Sequence, residues 1–320
     1  MKPVRVLVTG AAGFVGSWLV PALVAQGHAV FAAGHPGYGA PEDGLGAEWV
    51  GMDVTSADSV SAAVERAAPD AVFHLAGQAS VGDSFRDPLG TWDVNATGTL
   101  RVAHALPKGA RLLLVSSAEA YGSVPETEQP ISEDRPVRPC NPYAASKAAA
   151  EMAALQAGES AGIQVVVARS FNHTGPGQDP RFAVASWARQ LAVIRAGGAE
   201  PVLHVGNLSA RRDLLDVRDV VRAYLTLMAD GKPGSVYNVC SGTARSMREV
   251  VDELVDLSGT RARVEVDPER VRPVDVPLLL GGNARLRGLG WAPSIPFRQT
   301  LADLLEWQAE RLQASPQAAA

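Results

Sequence analysis

The stretch Lys2-Pro3-Val4-Arg5-Val6-Leu7-Val8-Thr9-Gly10-Ala11-Ala12-Gly13-Phe14-Val15-Gly16 decides the fold. Val4, Val6 and Val8, with Leu7 between them, make an apolar, β-branched run suited to a strand buried in a parallel sheet. Gly10, Gly13 and Gly16 follow in the spacing G-x-x-G-x-x-G, and Phe14, Val15, Trp18, Leu19, Ala22 and Leu23 then form a helical pattern. A glycine-rich turn between strand and helix lets backbone approach a pyrophosphate, while the helix N terminus supplies N–H groups and positive dipole. Three glycines at this spacing also serve as plain turn chemistry, so the choice rests on the residues downstream.

Around that stretch, composition bounds the answer. The 320 residues suffice for one large domain or two smaller ones with a proper core. No apolar run approaches the roughly 18 residues needed to span a bilayer, and the apolar run after Lys2 is interrupted by Arg5, unlike a signal peptide. Two cysteines, Cys140 and Cys240, cannot make a disulfide framework or a cysteine-rich metal site. The expected setting is cytoplasmic, with no membrane partner and no metal. A net charge of −5 without a basic block argues against nucleic acid, so an anionic ligand must be held by a few placed arginines and helix ends.

Along the chain, strands are expected at 29–33, 48–51, 71–75, 111–116 and 164–169, with helices at 56–68 and 91–105 between them. This βαβαβ alternation predicts an α/β fold, a Rossmann-type doubly wound parallel sheet. The second strand ends in Ala33-Gly34-His35-Pro36, with neither a carboxylate to repel a 2′-phosphate nor an arginine to grip one. NADPH and NADH both stay open, the balance tipping toward NADPH or dual use. Met52-Asp53-Val54 closes the third strand, where Asp53 can take an adenine amino group or cap the next helix. Leu75, Ala76 and Gly77 let backbone lie against a cofactor, and Asn95 sits on the helix that follows.

Beyond 170 the alternation fades. Residues 171–178, rich in Gly, Pro and Asn, read as loop. Helices are expected at 181–196, 217–229 and 297–312, strands at 202–206 and 236–239, and Ser246 with Glu249 forms a capping box. The expected organisation is a dinucleotide-binding domain at 1–170, to which about 208–240 returns, and a smaller α/β C-terminal domain at 171–207 and 241–320. A ligand cleft would lie between them.

The chemistry concentrates in Tyr143-Ala-Ala-Ser-Lys147, which opens a helix after Asn141-Pro142. Residues four apart share a helix face, so the ammonium can sit near the phenol, lower its pKa and let it exchange a proton with an alcohol or ketone. Ser116 and Ser117 end the fifth strand, where ligands of such sheets bind. A solvated Tyr–Lys pair is the plain alternative.

Together, Thr9 to Gly16, Leu75-Ala76-Gly77, Asn95, Ser117 and Tyr143/Lys147 resemble the extended short-chain dehydrogenase/reductases that act on nucleotide sugars. The likeness covers almost the whole chain. Arg169-Ser-Phe-Asn-His-Thr-Gly-Pro-Gly-Gln178, Val205-Gly-Asn-Leu-Ser-Ala-Arg-Arg-Asp213 and Arg272-Pro-Val-Asp-Val-Pro-Leu-Leu-Leu280 are similar to the GDP-mannose branch, its 4,6-dehydratases and its GDP-4-keto-6-deoxymannose reductases. The resemblance implies a catalytic set of Ser117, Tyr143 and Lys147, with Tyr143 as proton donor and acceptor. Glu119 stands where dehydratases keep their C5 base, though it could equally orient a sugar hydroxyl. Gly10, Gly13, Phe14, Val15, Gly16, His35, Asp53, Val54, Leu75, Ala76, Gly77 and Asn95 would hold NADPH or NADH. Asn172, Asn207, Arg212, Arg272 and Asp275 would hold a GDP-sugar, the two arginines on its diphosphate. His173 reads as a packed loop histidine.

Three features of the resemblance favour a reductase giving GDP-D-rhamnose. The chain is short for a dehydratase, the turn at 175–178 lacks the paired arginines of dehydratases, and Arg169 opens that motif as in reductases. The 4,6-dehydratase remains the alternative within the family, and a non-catalytic nucleotide-binding regulator the alternative outside it. Epimerisation of a UDP-sugar is disfavoured by Gly34 at the position of an NAD-binding acid. The C4 stereochemistry and the base of the nucleotide stay open. Helices at 91–105 and 142–157 are expected to form a four-helix homodimer interface, by analogy with the same enzymes.

Overall fold

Val6 and Val8 turn their side chains to one face of the first strand and Leu7 to the other, and each face meets its own apolar layer. The same alternation repeats along the sheet. Leu113 and Val166 join the first layer, while Leu112, Leu114, Val165 and Val167 join the second. Strands of this kind, apolar on both sides, are stable only when helices cover both faces.

The computed structural model describes residues 4–39, 46–270 and 276–314. The chain runs β1 (Arg5–Thr9), α1 (Gly16–Ala25), β2 (Ala29–Gly34), β3 (Glu48–Gly51), α2 (Ala57–Ala67), β4 (Ala71–His74), α3 (Val81–Arg86), α4 (Pro88–Trp92), α5 (Gly98–Ala105) and β5 (Arg111–Ser117). It continues with α6 (Pro142–Ala161), β6 (Gln164–Ser170), β7 (Asn172–Thr174), α7 (Ala183–Arg195), β8 (Val202–Val205), β9 (Arg211–Asp216) and α8 (Val217–Asp230). Then come β10 (Val236–Val239), β11 (Ala244–Ser246), α9 (Met247–Ser258), β12 (Arg263–Val266), β13 (Leu278–Leu279), α10 (Ala284–Arg287) and α11 (Phe297–Ala314).

Among the described residues, seven strands form one parallel sheet in the order β10-β6-β5-β4-β1-β2-β3. Winding reverses between β1 and β4, so the carboxyl ends of those two strands flank the crevice where such sheets bind ligands. A third apolar core, with Trp187, Leu191, Leu203, Leu254, Leu301 and Leu304, gathers α7, α9 and α11 beside β8. Two small sheets accompany it: β11-β9-β13 with β7 alongside β9, and β12-β8.

Three expectations are corrected. Residues 171–178 are not all loop, because Asn172 pairs opposite Leu214 in the β7–β9 ladder. The helix expected over 91–105 is interrupted: a single π turn, Asp93–Thr97, separates α4 from α5 and carries Asn95. A π turn adds a residue to the helical circuit and so re-aims its side chains. Asp53 does not cap α2, whose N-cap is Ser56, its hydroxyl accepting from the Ser59 amide.

Candidate active site

At the β1/β4 crevice two turns press together. Gly10 has φ +67°, and a Cβ there would lie 2.8 Å from the Ala76 amide nitrogen. A Cβ at Gly16 would come within 2.4 Å of the Ala11 carbonyl oxygen, and one at Gly77 within 2.9 Å of Asn95 Oδ1. Val15, at the N-cap of α1, provides no side-chain acceptor for the helix's first N–H groups. The residues present thus fit a dinucleotide: bare backbone over the crevice and a helix start with no side-chain cap in the way, as pyrophosphate requires.

Aromatic contacts tie this turn to the segment after β6. Phe14 stacks on His173 with centroids 5.9 Å apart, and Trp18 Nε1 donates to the Pro176 carbonyl at 2.9 Å. The His173 Nδ1 sits 3.0 Å from the Phe171 carbonyl, and burial lowers its pKa. A carbonyl only accepts, so Nδ1 carries the proton and the ring is a packed, neutral one. At the far end, His35 Nδ1 accepts from the Gly37 amide while its Nε2 lies 3.8 Å from Asp53 Oδ2. Asp53 also accepts from the Thr55 amide and hydroxyl, and the hydroxyl is the largest cause holding its carboxyl below the ordinary value. Val54 is buried with its side chain against Gly98.

The catalytic candidates meet between β5 and α6. Asn141 caps α6, its side chain accepting from the Ala144 amide, and Pro142 fills the first turn. Tyr143, Lys147 and Glu151, spaced by four, fall on the buried side of this alanine-rich helix. Ser117, at the end of β5, lies near the Tyr143 phenol, and its Oγ accepts from the Glu119 amide at 3.2 Å. Burial pushes that phenol up to about 12, the Ser117 hydroxyl partly offsetting the rise and the Glu119 charge adding to it. Here the expectation of an acidified phenol is corrected: burial outweighs what lowers it, and Lys147 Nζ donates to the Val115 carbonyl at 2.7 Å. The lysine itself is pushed down to about 8 by burial, Glu151 opposing the fall. It also reaches the cradle, 3.6 Å from where a side chain at Gly77 would begin.

Asn95 braces rather than projects. Its Oδ1 accepts from the Gln78 amide at 2.8 Å, and its Nδ2 donates to the Gln78 carbonyl and to Ser146 Oγ. Ser146 in turn donates to the Tyr143 carbonyl. Leu75, Ala76 and Gly77 are thereby held against the catalytic helix. Glu119 Oε2 accepts from Asn141 Nδ2 at 3.1 Å, tying the carboxylate to the N-cap of α6.

The candidates for substrate contact are more dispersed. Asn172 is exposed on β7. Arg212, on the neighbouring β9, donates from Nη1 to the Val276 carbonyl at 2.6 Å. Asn207 stabilises its own turn, accepting from the Ser209 amide and hydroxyl. Arg272 and Asp275 lie outside the described residues. Two buried groups escaped the sequence reading. One is Glu151, gripped by Arg169 and Ser116, which the spacing Tyr-x-x-x-Lys-x-x-x-Glu could have signalled. The other is His74 at the end of β4, which no local pattern marks.

Comparison with known proteins matches this arrangement to a family. A family model described as GDP-mannose 4,6 dehydratase matches residues 7–304. GDP-6-deoxy-D-mannose reductase of Pseudomonas aeruginosa is 40% identical over 310 residues, 95% of this chain and 97% of the relative. UDP-glucose 4-epimerase of Mycolicibacterium smegmatis is 33% identical over 312 residues, 95% of this chain and 98% of that one. Among solved structures, RMD from Pseudomonas aeruginosa complexed with NADPH superposes with a TM-score of 0.83 at 38% identity, covering 96% of this chain and 99% of the other.

Proposed function

The chain belongs to the GDP-mannose 4,6-dehydratase family, and we propose that it reduces the 4-keto group of GDP-4-keto-6-deoxy-D-mannose to GDP-D-rhamnose, using NADPH or NADH. The observation that carries this reading is the Tyr143–Ser117 pair beside Lys147, in a chain 40% identical, along nearly its whole length, to a GDP-6-deoxy-D-mannose reductase. A bound nicotinamide supplies the hydride to the sugar C4. The chain's own groups handle the oxygen. Ser117 and Tyr143 each bring a hydroxyl to the junction of β5 and α6, and a carbonyl oxygen seated there could accept from both. As negative charge develops there, Tyr143 Oη transfers its proton, leaving a buried phenolate that the Lys147 ammonium stabilises. With its pKa near 12 the phenol is fully protonated at neutral pH, as an acid in this direction must be.

Glu119 by itself decides neither reaction; its hydrogen bond from Asn141 ties the carboxylate to the helix cap, where it can orient a sugar hydroxyl. Arg212, Arg272, Asn172, Asn207 and Asp275 are our candidates for the GDP-sugar. We also read the assembly as a homodimer and the setting as cytoplasmic, where both unpaired cysteines stay reduced. No helix among the described residues is long and apolar enough to cross a membrane.

The test is to supply GDP-4-keto-6-deoxy-D-mannose with NADPH, follow cofactor oxidation and identify the product by NMR. GDP-D-rhamnose is expected. A 6-deoxytalose product would overturn the stereochemistry. A 4-keto sugar formed from GDP-mannose without added reductant would replace the reductase with the dehydratase. Tyr143→Phe is expected to lose roughly a hundred- to ten-thousandfold in turnover while NADPH still binds.

A further inference from the structure

His74 is buried at the end of β4 and engaged at both ring nitrogens, with Thr9 Oγ1 2.8 Å from Nδ1 and Thr99 Oγ1 3.1 Å from Nε2. The directions follow from the outer ends. Thr99 donates its only proton to the Asn95 carbonyl at 2.6 Å, so it must accept from Nε2–H. That leaves Nδ1 as a lone pair, which accepts from the Thr9 hydroxyl. The Thr9 oxygen in turn accepts from the Ala76 amide at 3.1 Å. One unbroken chain therefore runs from Ala76 N–H through three buried side chains to Asn95 C=O. Its two ends are the parts of the cradle that matter most: Ala76 abuts Gly10, and Asn95 holds Gln78 and, through Ser146, the Tyr143 backbone.

We propose that His74 is a positioning residue of the dinucleotide site, a neutral imidazole protonated on Nε2 that sets the spacing between the Ala76 turn and the Asn95 turn. This rests on reading those turns as the cofactor's cradle. An imidazole suits the task because its two nitrogens are fixed in one rigid ring, a lone pair at one end and a donor at the other. A second ring proton would aim Nδ1–H at Thr9, whose own hydroxyl proton would then lose its acceptor. Burial and the Lys147 charge keep the ring neutral, with a pKa of about 3.

The experiment has two arms. Long-range proton–nitrogen NMR of the intact protein should find His74 in the Nε2–H form, unchanged between about pH 5 and 8. A proton on Nδ1, or titration within that range, would overturn the proposal without any variant. In the second arm, Asn places an acceptor near the position of Nδ1, and Gln places a donor near that of Nε2. His74→Asn should keep NADPH affinity within about threefold and lose about tenfold or more in kcat; His74→Gln should weaken NADPH about tenfold and keep most of kcat at saturation. Variants that change neither quantity, or change both in proportion to thermal stability, would reject the role. Failure of the wild-type protein to bind NADPH would instead reject the cofactor reading itself.

Discussion

Glu151 and Arg169 form a bidentate ion pair inside the protein, with side chains only 4% and 8% exposed. Arg169 Nε lies 2.9 Å from Oε1 and Nη2 2.6 Å from Oε2, while Ser116 adds a hydroxyl to the same carboxylate. Ser116 and Arg169 face each other across β5 and β6, one residue before Ser117 and Ser170, so a single carboxylate on α6 clamps both strand ends that carry the site. The ring of Tyr121 lies 4.7 Å from the guanidinium carbon, beside a buried Nη1 that has no hydrogen-bond partner. Removing one partner leaves the other charged and buried, whereas removing both leaves neither. Arg169→Met is therefore expected to cost about 3–5 kcal/mol in urea unfolding, and Arg169→Met with Glu151→Leu to recover at least half of that. Equal losses from the single and double variants would show that the pair is not what holds the clamp.

Burial sets the pH response of Lys147, and the same carboxylate opposes it. The folded-state pKa of this lysine is lowered to about 8 from 10.5. Between those values the unfolded chain holds a proton that the folded chain has released, so this group makes stability rise with pH across that window. Below about 8 both states are protonated and its contribution is flat. Activity is expected to run the other way, since the Lys147 ammonium, proposed to stabilise the phenolate, is lost above about pH 8. His74, whose ring also feels the Lys147 charge, stays neutral. Glu151→Gln removes the charge that keeps the lysine protonated. Its alkaline loss of kcat is expected to begin roughly one pH unit lower. A pH–rate profile superposing on that of the wild type would contradict this.

Local patterns made part of this legible. The strand, glycine turn and helix at 5–25 announce themselves because each signal is contiguous, and the two-faced apolar strands dictate the parallel sheet. What escaped depends on partners far along the chain. The three-residue strand β7 has no periodicity of its own and exists through pairing with β9. The π turn at Asn95 hides because the apolar period on either side fits one continuous helix. The resting contact of the lysine hides for a related reason. Spacing says that Tyr143 and Lys147 share a helix face, but only β5 supplies the Val115 carbonyl that takes the ammonium.

Gly10 and Gly27 separate strain from contact. Both have positive φ, +67° and +81°, yet a Cβ at Gly10 would meet the Ala76 backbone at 2.8 Å and one at Gly27 would meet nothing within 4 Å. Alanine at either position carries the left-handed penalty of about 1–2 kcal/mol. Only at Gly10 must the turn at 75–77 move aside. Gly10→Ala is expected to weaken NADPH binding by about tenfold or more, and Gly27→Ala to lower the melting temperature and leave that affinity within about twofold. Fluorescence titration with NADPH checks both, and equal affinities in the two variants would detach Gly10 from the cofactor.

Large apolar side chains remain uncovered on one flank of the molecule. Leu89 is 83% exposed, and Phe85, Trp92 and Met152 are also exposed, on α3, α4 and α6, which pack against one another. A cluster of this size, next to the helix that carries Tyr143, is unusual on a surface meant to face water. If two copies cover it by a two-fold axis, each residue of the patch occurs twice in the interface, so one substitution introduces two charges there. Leu89→Asp is then expected to convert a dimer to a monomer in sedimentation velocity at micromolar concentration, with the circular dichroism spectrum unchanged. Leu89 is largely in solvent, so NADPH affinity should survive the substitution, whereas turnover should fall to the extent that α6 depends on its partner for rigidity. A wild-type protein that sediments as a monomer would leave these side chains without that explanation.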